Sequence, residues 1–131
     1  LNEKNAVIET LHELKKILNY EWTDYKLTNK GRYCIVSGKP NIAILLKTEP
    51  FFTFGRKFKE QGQSGVGDSI NTEQIKEFIQ HNVVTIYTKF RDGKLYSIEL
   101  IDFLNNSFKW TQKEGTSVRS ISIHRYKRIN G

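Results

Sequence analysis

Apolar positions along the chain change period several times, and each change marks an element. From Asn5 to Leu18, Val7, Leu11, Leu14 and Leu18 recur at helical spacing, with Ile8 and Ile17 widening the stripe, which predicts an amphipathic helix. Glu3 near its start and Lys15-Lys16 near its end suit the helix dipole. Tyr20 to Leu27 and Arg32 to Ser37 then predict two strands joined by an Asn29-Lys30-Gly31 turn. Ile42 to Leu46 is a short, unbroken apolar run bounded by Gly38-Lys39-Pro40-Asn41 and Pro50. Such a run predicts a strand buried on both faces, and Pro50 ends it near Thr48 or Glu49.

Beyond Pro50 the character alters. Phe51, Phe52, Phe54 and Phe58 interleave with Arg56, Lys57 and Lys59. Gln61 to Gly67 carries too many glycines for regular structure and is expected to be a mobile loop; it lacks the spacing of a P-loop. A second helix, Thr72 to Gln80, is signalled by Asn71 as cap, Gln74 three residues on, and Ile70 and Ile75 in the staple positions. Val83 to Phe90 and Lys94 to Leu100 predict a hairpin whose Asp92-Gly93 suggests a type I′ turn. A short helix over Leu100 to Asn105, an irregular stretch from Trp110, a late strand through Val118, Ile121 and Ile123, and a frayed basic tail from His124 to Arg128 complete the reading.

The fold class expected is therefore α/β (α+β), a mixed central sheet centred on Ile42 to Lys47 and flanked by helices, in a single domain spanning 1–131. The chain starts at Leu1 and contains no methionine, which suits a processed chain or a piece of a longer one.

Composition narrows the partners. A net charge of +7 with 12% aromatic residues favours a polyanion, because lysine and arginine release counterions from phosphate backbones. The candidate contacts are Arg56, Lys57, Lys59 and Phe54, with Arg125, Lys127 and Arg128 in the tail. Phenylalanines in such loops pack more often than they stack, so at least two of the loop's four are expected in a core or interface. No apolar run approaches the ~18 residues of a membrane span, so no membrane partner is expected. Cys34 stands alone inside a predicted strand, as a buried spacer; it can make no internal disulfide, and the cytoplasm is the expected compartment. His12, His81 and His124 are in no zinc-ligand spacing.

The order helix, three strands, helix, strands resembles the core of the PD-(D/E)XK nuclease superfamily, with the small archaeal Holliday-junction resolvases nearest in size. The likeness covers about residues 5–100, leaving a short helix, a strand and the basic tail over 101–131. It implies a restriction-endonuclease-like fold and a Mg²⁺- or Mn²⁺-dependent endodeoxyribonuclease. In that family a first-helix glutamate, a second-strand aspartate and a Glu-x-Lys on the third strand hold the ion and orient the nucleophile. Here Glu9 or Glu13 stands for the helical glutamate, and Lys47 matches the lysine. Leu45 stands where the glutamate belongs, and Arg32 to Ser37 has no carboxylate. Glu49 shares a strand face with Lys47 and is the displaced ligand to test; Asp68 and Glu77 are further migrated acids.

The catalytic set implied is Lys47, Glu49 and Glu13, and the metal set Glu13, Glu49 and Asp68. The function expected is that of a nucleic-acid-binding domain of nuclease-like fold, with DNA favoured over RNA and a homodimer as one form. It would be an endonuclease with displaced carboxylates, a binder that does not cleave, or a protein-interaction module.

Overall fold

A computed structural model describes residues 3–28, 33–48, 50 and 52–131. The expected Asn29-Lys30-Gly31 turn, Arg32, and two residues of the candidate site region, Glu49 and Phe51, lie outside the described residues. In chain order the elements are α1 (Glu3–Leu18), β1 (Trp22–Leu27), β2 (Tyr33–Gly38), β3 (Ile42–Lys47), β4 (Phe52–Thr53), α2 (Arg56–Lys59), β5 (Val66–Asn71), α3 (Thr72–Gln80), β6 (Thr85–Phe90), β7 (Leu95–Glu99), α4 (Leu100–Asn106), β8 (Phe108–Thr111), β9 (Ser117–Ser122) and β10 (Lys127–Arg128), with a 3-10 turn at Ile123–Arg125.

The protein is mixed α+β, and its larger sheet is mixed. That six-stranded sheet runs β1-β2-β3-β6-β7-β10. β1, β2 and β3 form an antiparallel meander, β6 lies parallel to β3 after the α3 crossover, and β7 returns antiparallel. β3 is central, as its both-face apolar run requires. Ile42 and Ile44 pack with Val7, Leu11 and Leu14 of α1, whereas Ala43 and Leu45 face Ile75 and Phe78 of α3 and Phe103 of α4. Burying each such side chain contributes roughly 1.5–3 kcal/mol. Cys34 is fully buried among the α1-side residues, and burial pushes its thiol up to about 12, the behaviour of a packing residue.

A second, four-stranded sheet, β4-β5-β9-β8, covers part of the α3 side. It corrects the expectations for this part of the chain. The Gln61–Gly67 stretch is anchored: the Gln63 side chain is buried, donates to the Asn106 carbonyl (2.7 Å) and accepts from Ser122 N (2.9 Å). Its glycines serve backbone shape, since Gly62 and Gly65 have φ of 82° and 73°. Gly62 N bonds to Lys59 O, Gln63 N to Phe58 O and Ser64 N to Ser122 Oγ, so these three amides are taken up within the protein. Trp110 lies in β8, and the alternation of Phe108 with Trp110 was the overlooked signal.

Of two turn-level expectations, the first holds and the second changes. Asn71 caps α3 by accepting from Glu73 N (2.8 Å), while Ile70 and Ile75 are both buried as the staple requires. In the β6–β7 hairpin only Gly93 has positive φ (95°), Gly93 N donates to Phe90 O and Phe90 N to Lys94 O. That is a type I turn with a glycine bulge, because type I′ would need positive φ at Asp92 also.

The basic tail is not frayed. Lys127 and Arg128 pair with Ser97 and Tyr96 of β7, and Ile129 N donates to Leu95 O (2.8 Å). The 101–131 region thus contributes β8 and β9 to the second sheet and β10 to the edge of the main one, instead of trailing from the fold. Among the described residues no helix is long and apolar enough to cross a membrane.

Candidate nucleic-acid interface

Lys47 leaves the carboxyl end of β3 on the α3 side and turns into the protein. Its Nζ lies 3.0 Å from Asp68 Oδ1 and donates to the Ser69 carbonyl, both on β5. Asp68 is completely buried, and its Oδ2 accepts from the Tyr126 hydroxyl at 2.7 Å. Burial first, and then the neighbouring carboxylate, push the Tyr126 phenol well above its usual value, so it stays a donor. Oδ1 has a charge partner in Lys47 but no aligned hydrogen bond. The cluster continues through buried hydroxyls: Ser69 Oγ lies 2.5 Å from Ser120 Oγ, which also accepts from Trp110 Nε1 at 2.7 Å.

Glu13 belongs to a different site. Lys89 has the facing of Tyr87, on the α1 side of the sheet, whereas Lys47 has the facing of Leu45. Glu13 Oε1 meets Lys89 Nζ at 2.6 Å, and Oε2 accepts from Asn130 Nδ2 at 2.7 Å. Partial burial opposes ionisation, but the Lys89 and Asn130 hydrogen bonds outweigh it and hold the carboxyl below its usual value. The expected grouping of Glu13 with Lys47 is therefore not formed. Glu9 is exposed, and Glu77 accepts from the Tyr33 hydroxyl at 2.5 Å.

Glu13 and Asp68 do not come together as ligands of one Mg²⁺ or Mn²⁺ ion. Both oxygens of Glu13 and both of Asp68 already face protein donors or cations, on opposite sides of a sheet. Among the described residues no three His, Cys, Asp or Glu side chains stand together as a metal site.

The aromatic and basic stretch separates into two layers. Phe54 is 2% exposed, and its ring centroid lies 4.8 Å from Phe52 and 5.2 Å from Phe58. Phe58 in turn lies 5.6 Å from both Phe108 and Trp110 of β8. These edge and tilted contacts are packing geometry, so Phe54 is a core residue and not a surface for stacked bases. Gly67 allows the closeness: a Cβ there would sit 2.3 Å from Phe54 Cζ. The flanking Arg56, Lys57 and Lys59 are all exposed on α2, whose Phe58 is the anchor. No family model, curated protein or solved structure matches the chain. Its function has to be argued from this geometry.

Of the other basic residues, Arg91 and Lys94 flank the turn that follows β6, and Arg128 lies opposite Tyr96 close to that turn, whereas Lys127 and Arg125 sit farther back along the β7 edge. Arg91, Lys94, Arg125, Lys127 and Arg128 are exposed, and Arg128 is bonded through Nε to Asn130 Oδ1 (2.9 Å) with its guanidinium 5.8 Å from the Tyr96 ring centroid. Asn130 also donates to Gly93 O and accepts from Leu95 N, each at 2.8 Å, so it fixes this edge. Sequence reasoning missed Lys89, Arg91, Tyr126 and Asn130. Only the exposed cations carried a signal, in the net charge. The pairings of Tyr126 and Asn130 join distant parts of the chain and leave no local pattern.

Proposed function

We propose that this protein binds nucleic acid through cations held on a rigid base, and that Lys47 serves its architecture and not a cleavage reaction. One observation carries the reading: Arg56, Lys57 and Lys59 all project to solvent from a short helix whose third residue, Phe58, is locked into the Phe52–Phe54–Phe108–Trp110 cluster. An isolated lysine or arginine pays side-chain entropy to meet a phosphate, and a pinned helix lowers the backbone part of that cost. The order α1, β1-β2-β3 meander, α3 crossover and parallel β6 supports the likeness to the nuclease core, whose substrates are DNA. The carboxylate arrangement supports binding without an assembled metal centre.

Replacing Arg56, Lys57 and Lys59 together by alanine tests the reading. Duplex DNA affinity should fall at every sequence alike, and the slope of log K against log salt should flatten by roughly 2 to 3. Unchanged affinity at low salt removes this surface. For the endonuclease expectation, the deciding assay is Mg²⁺- or Mn²⁺-stimulated cleavage of linear and branched DNA. Cleavage lost in Lys47→Gln at unchanged thermal stability would restore a catalytic role for that residue and overturn the architectural one.

A further inference from the structure

Parallel strands in an open sheet leave a crevice outside their carboxyl ends, a recurrent place for ligands in α/β proteins. β3 and β6 are the parallel pair here, with Lys47 opposite Phe90 at their ends. A cleft of about 320 Å³ opens there, lined by Thr48, Pro50, Phe90, Arg91 and Asp92. We propose that this cleft holds one unpaired nucleotide of a bound strand, the phosphate on Arg91 and the base over Pro50, with the buried, Tyr96-packed Phe90 as the rigid floor beneath it and not a stacking face. The inference rests on the nucleic-acid reading above and deepens it.

The charge arrangement selects an anion. Asp92 is occupied by its own turn: Oδ1 accepts from Lys94 N at 3.0 Å and Oδ2 lies 3.5 Å from Lys94 Nζ. The Lys94 amide first, and more weakly the charges of Lys94 and Arg128, keep that carboxyl below its usual value. Arg91 makes no ion pair or hydrogen bond among the described residues, so its guanidinium is available. Lys94 and Arg128 add to the positive side, and the glycine-bulge turn with its Asn130 brace fixes where Arg91 starts. The lining combines one free bidentate cation, a threonine hydroxyl, the half-buried Pro50 ring over the buried Phe90, and an Asp92 carboxylate already taken up by Lys94. That set matches a phosphate linked to a flat, largely apolar base. The volume is at the small end of ligand pockets, enough for one such unit. A paired base is selected against, because extracting it from the duplex stack costs a few kcal/mol.

The test is fluorescence anisotropy at one fixed salt concentration, comparing a single-stranded DNA with a blunt duplex of the same length. Parent protein, Arg91→Gln, and the Arg56/Lys57/Lys59 triple-alanine variant are measured side by side. The parent should prefer the single strand by at least about five-fold, on the usual worth of one held base. Arg91→Gln should bring that ratio close to one with duplex affinity changed less than about two-fold, whereas the triple variant should weaken both substrates and keep the ratio. Equal parental affinity for the two forms, or a ratio unmoved by Arg91→Gln, overturns this inference and leaves the binding reading standing. No binding of either form by the folded parent overturns both.

Discussion

Lys47 Nζ and Asp68 Oδ1, 3.0 Å apart, tie the end of the central strand to the buried strand of the second sheet. Only a tenth of the lysine side chain and none of the aspartate is exposed to solvent. A strand-end lysine with a long stem can reach outward to a ligand or inward to a partner. Here an acid stands within reach, Tyr126 shares it, and the Ser69 carbonyl accepts a hydrogen bond from the lysine, so the inward ammonium has both a counter-charge and an acceptor.

Breaking that pair from one side should be costly. Lys47→Met leaves a buried carboxylate without its counter-charge and should lower unfolding free energy by about 3–5 kcal/mol. Adding Asp68→Asn to the same chain should recover part of the loss, giving clear non-additivity in urea titrations with unchanged m. A single variant within about 1 kcal/mol of the parent would show that the pair does not hold the sheets together.

Tyr126→Phe removes the hydroxyl from Asp68 Oδ2 and should cost about 1–3 kcal/mol at neutral pH. The phenol is raised in the folded state, so its stabilising contribution is complete below its ordinary value of 10 and declines as pH rises beyond it. Part of the parent's loss of stability above pH 10 should therefore vanish in the variant. Parallel alkaline melts of the two proteins read this directly, and identical pH slopes would count against it.

Glu13 runs the other way. Its carboxyl is held below the ordinary 4.5, so its contribution is present above that pH and is lost as pH falls through the lower folded value. Glu13→Gln should cost about 1–2 kcal/mol at pH 7 and flatten the acid limb of the stability curve below about pH 4.5. Denaturant midpoints at pH 7 and pH 3 provide the comparison. A loss of equal size at both would mean that packing, and not charge, is the cause.

Gly67→Ala should strain the base of α2, since the new methyl would meet Phe54 Cζ and Cε2 at 2.3 and 2.6 Å. The expected cost is about 1–3 kcal/mol, and adding Phe54→Leu should relieve some of it. If the aromatic cluster positions the cations, Gly67→Ala should also weaken DNA binding at temperatures where the protein remains folded. Anisotropy beside a melting curve separates the two effects, and unaltered binding would detach the cations from their aromatic base.

The legible parts of the fold were those whose information is local. α1 and α3 are written in apolar spacing, with Asn71 marking the start of α3, and the both-face apolar run of β3 identified a central strand. The Asp92-Gly93 hairpin was legible in place, although its turn type was not, because Asp-Gly suits both a type I′ turn and a type I turn with a glycine bulge. β5 escaped notice since Val66-Gly67-Asp68-Ser69 carries a charge and a hydroxyl where a buried strand ordinarily carries apolar residues. Those polar groups are tolerated because Lys47, Tyr126 and Ser120 satisfy them, and no window of sequence contains that fact.

Sequence alone determined the two long helices, the central strand, the excess of positive charge and the nearness of Lys47 to a strand end. Tertiary structure decided what those features do. It sent Lys47 inward to Asp68, placed Glu13 with Lys89 and Asn130 on the opposite face, drew the loop phenylalanines into a packed cluster, and joined the basic tail to the sheet edge. The physical reason is that periodicity records only whether a side chain faces water or core. The partner of a buried charge is set by which distant segment the sheet brings within about 3 Å, where one matched donor decides between a stable pair and a costly orphan.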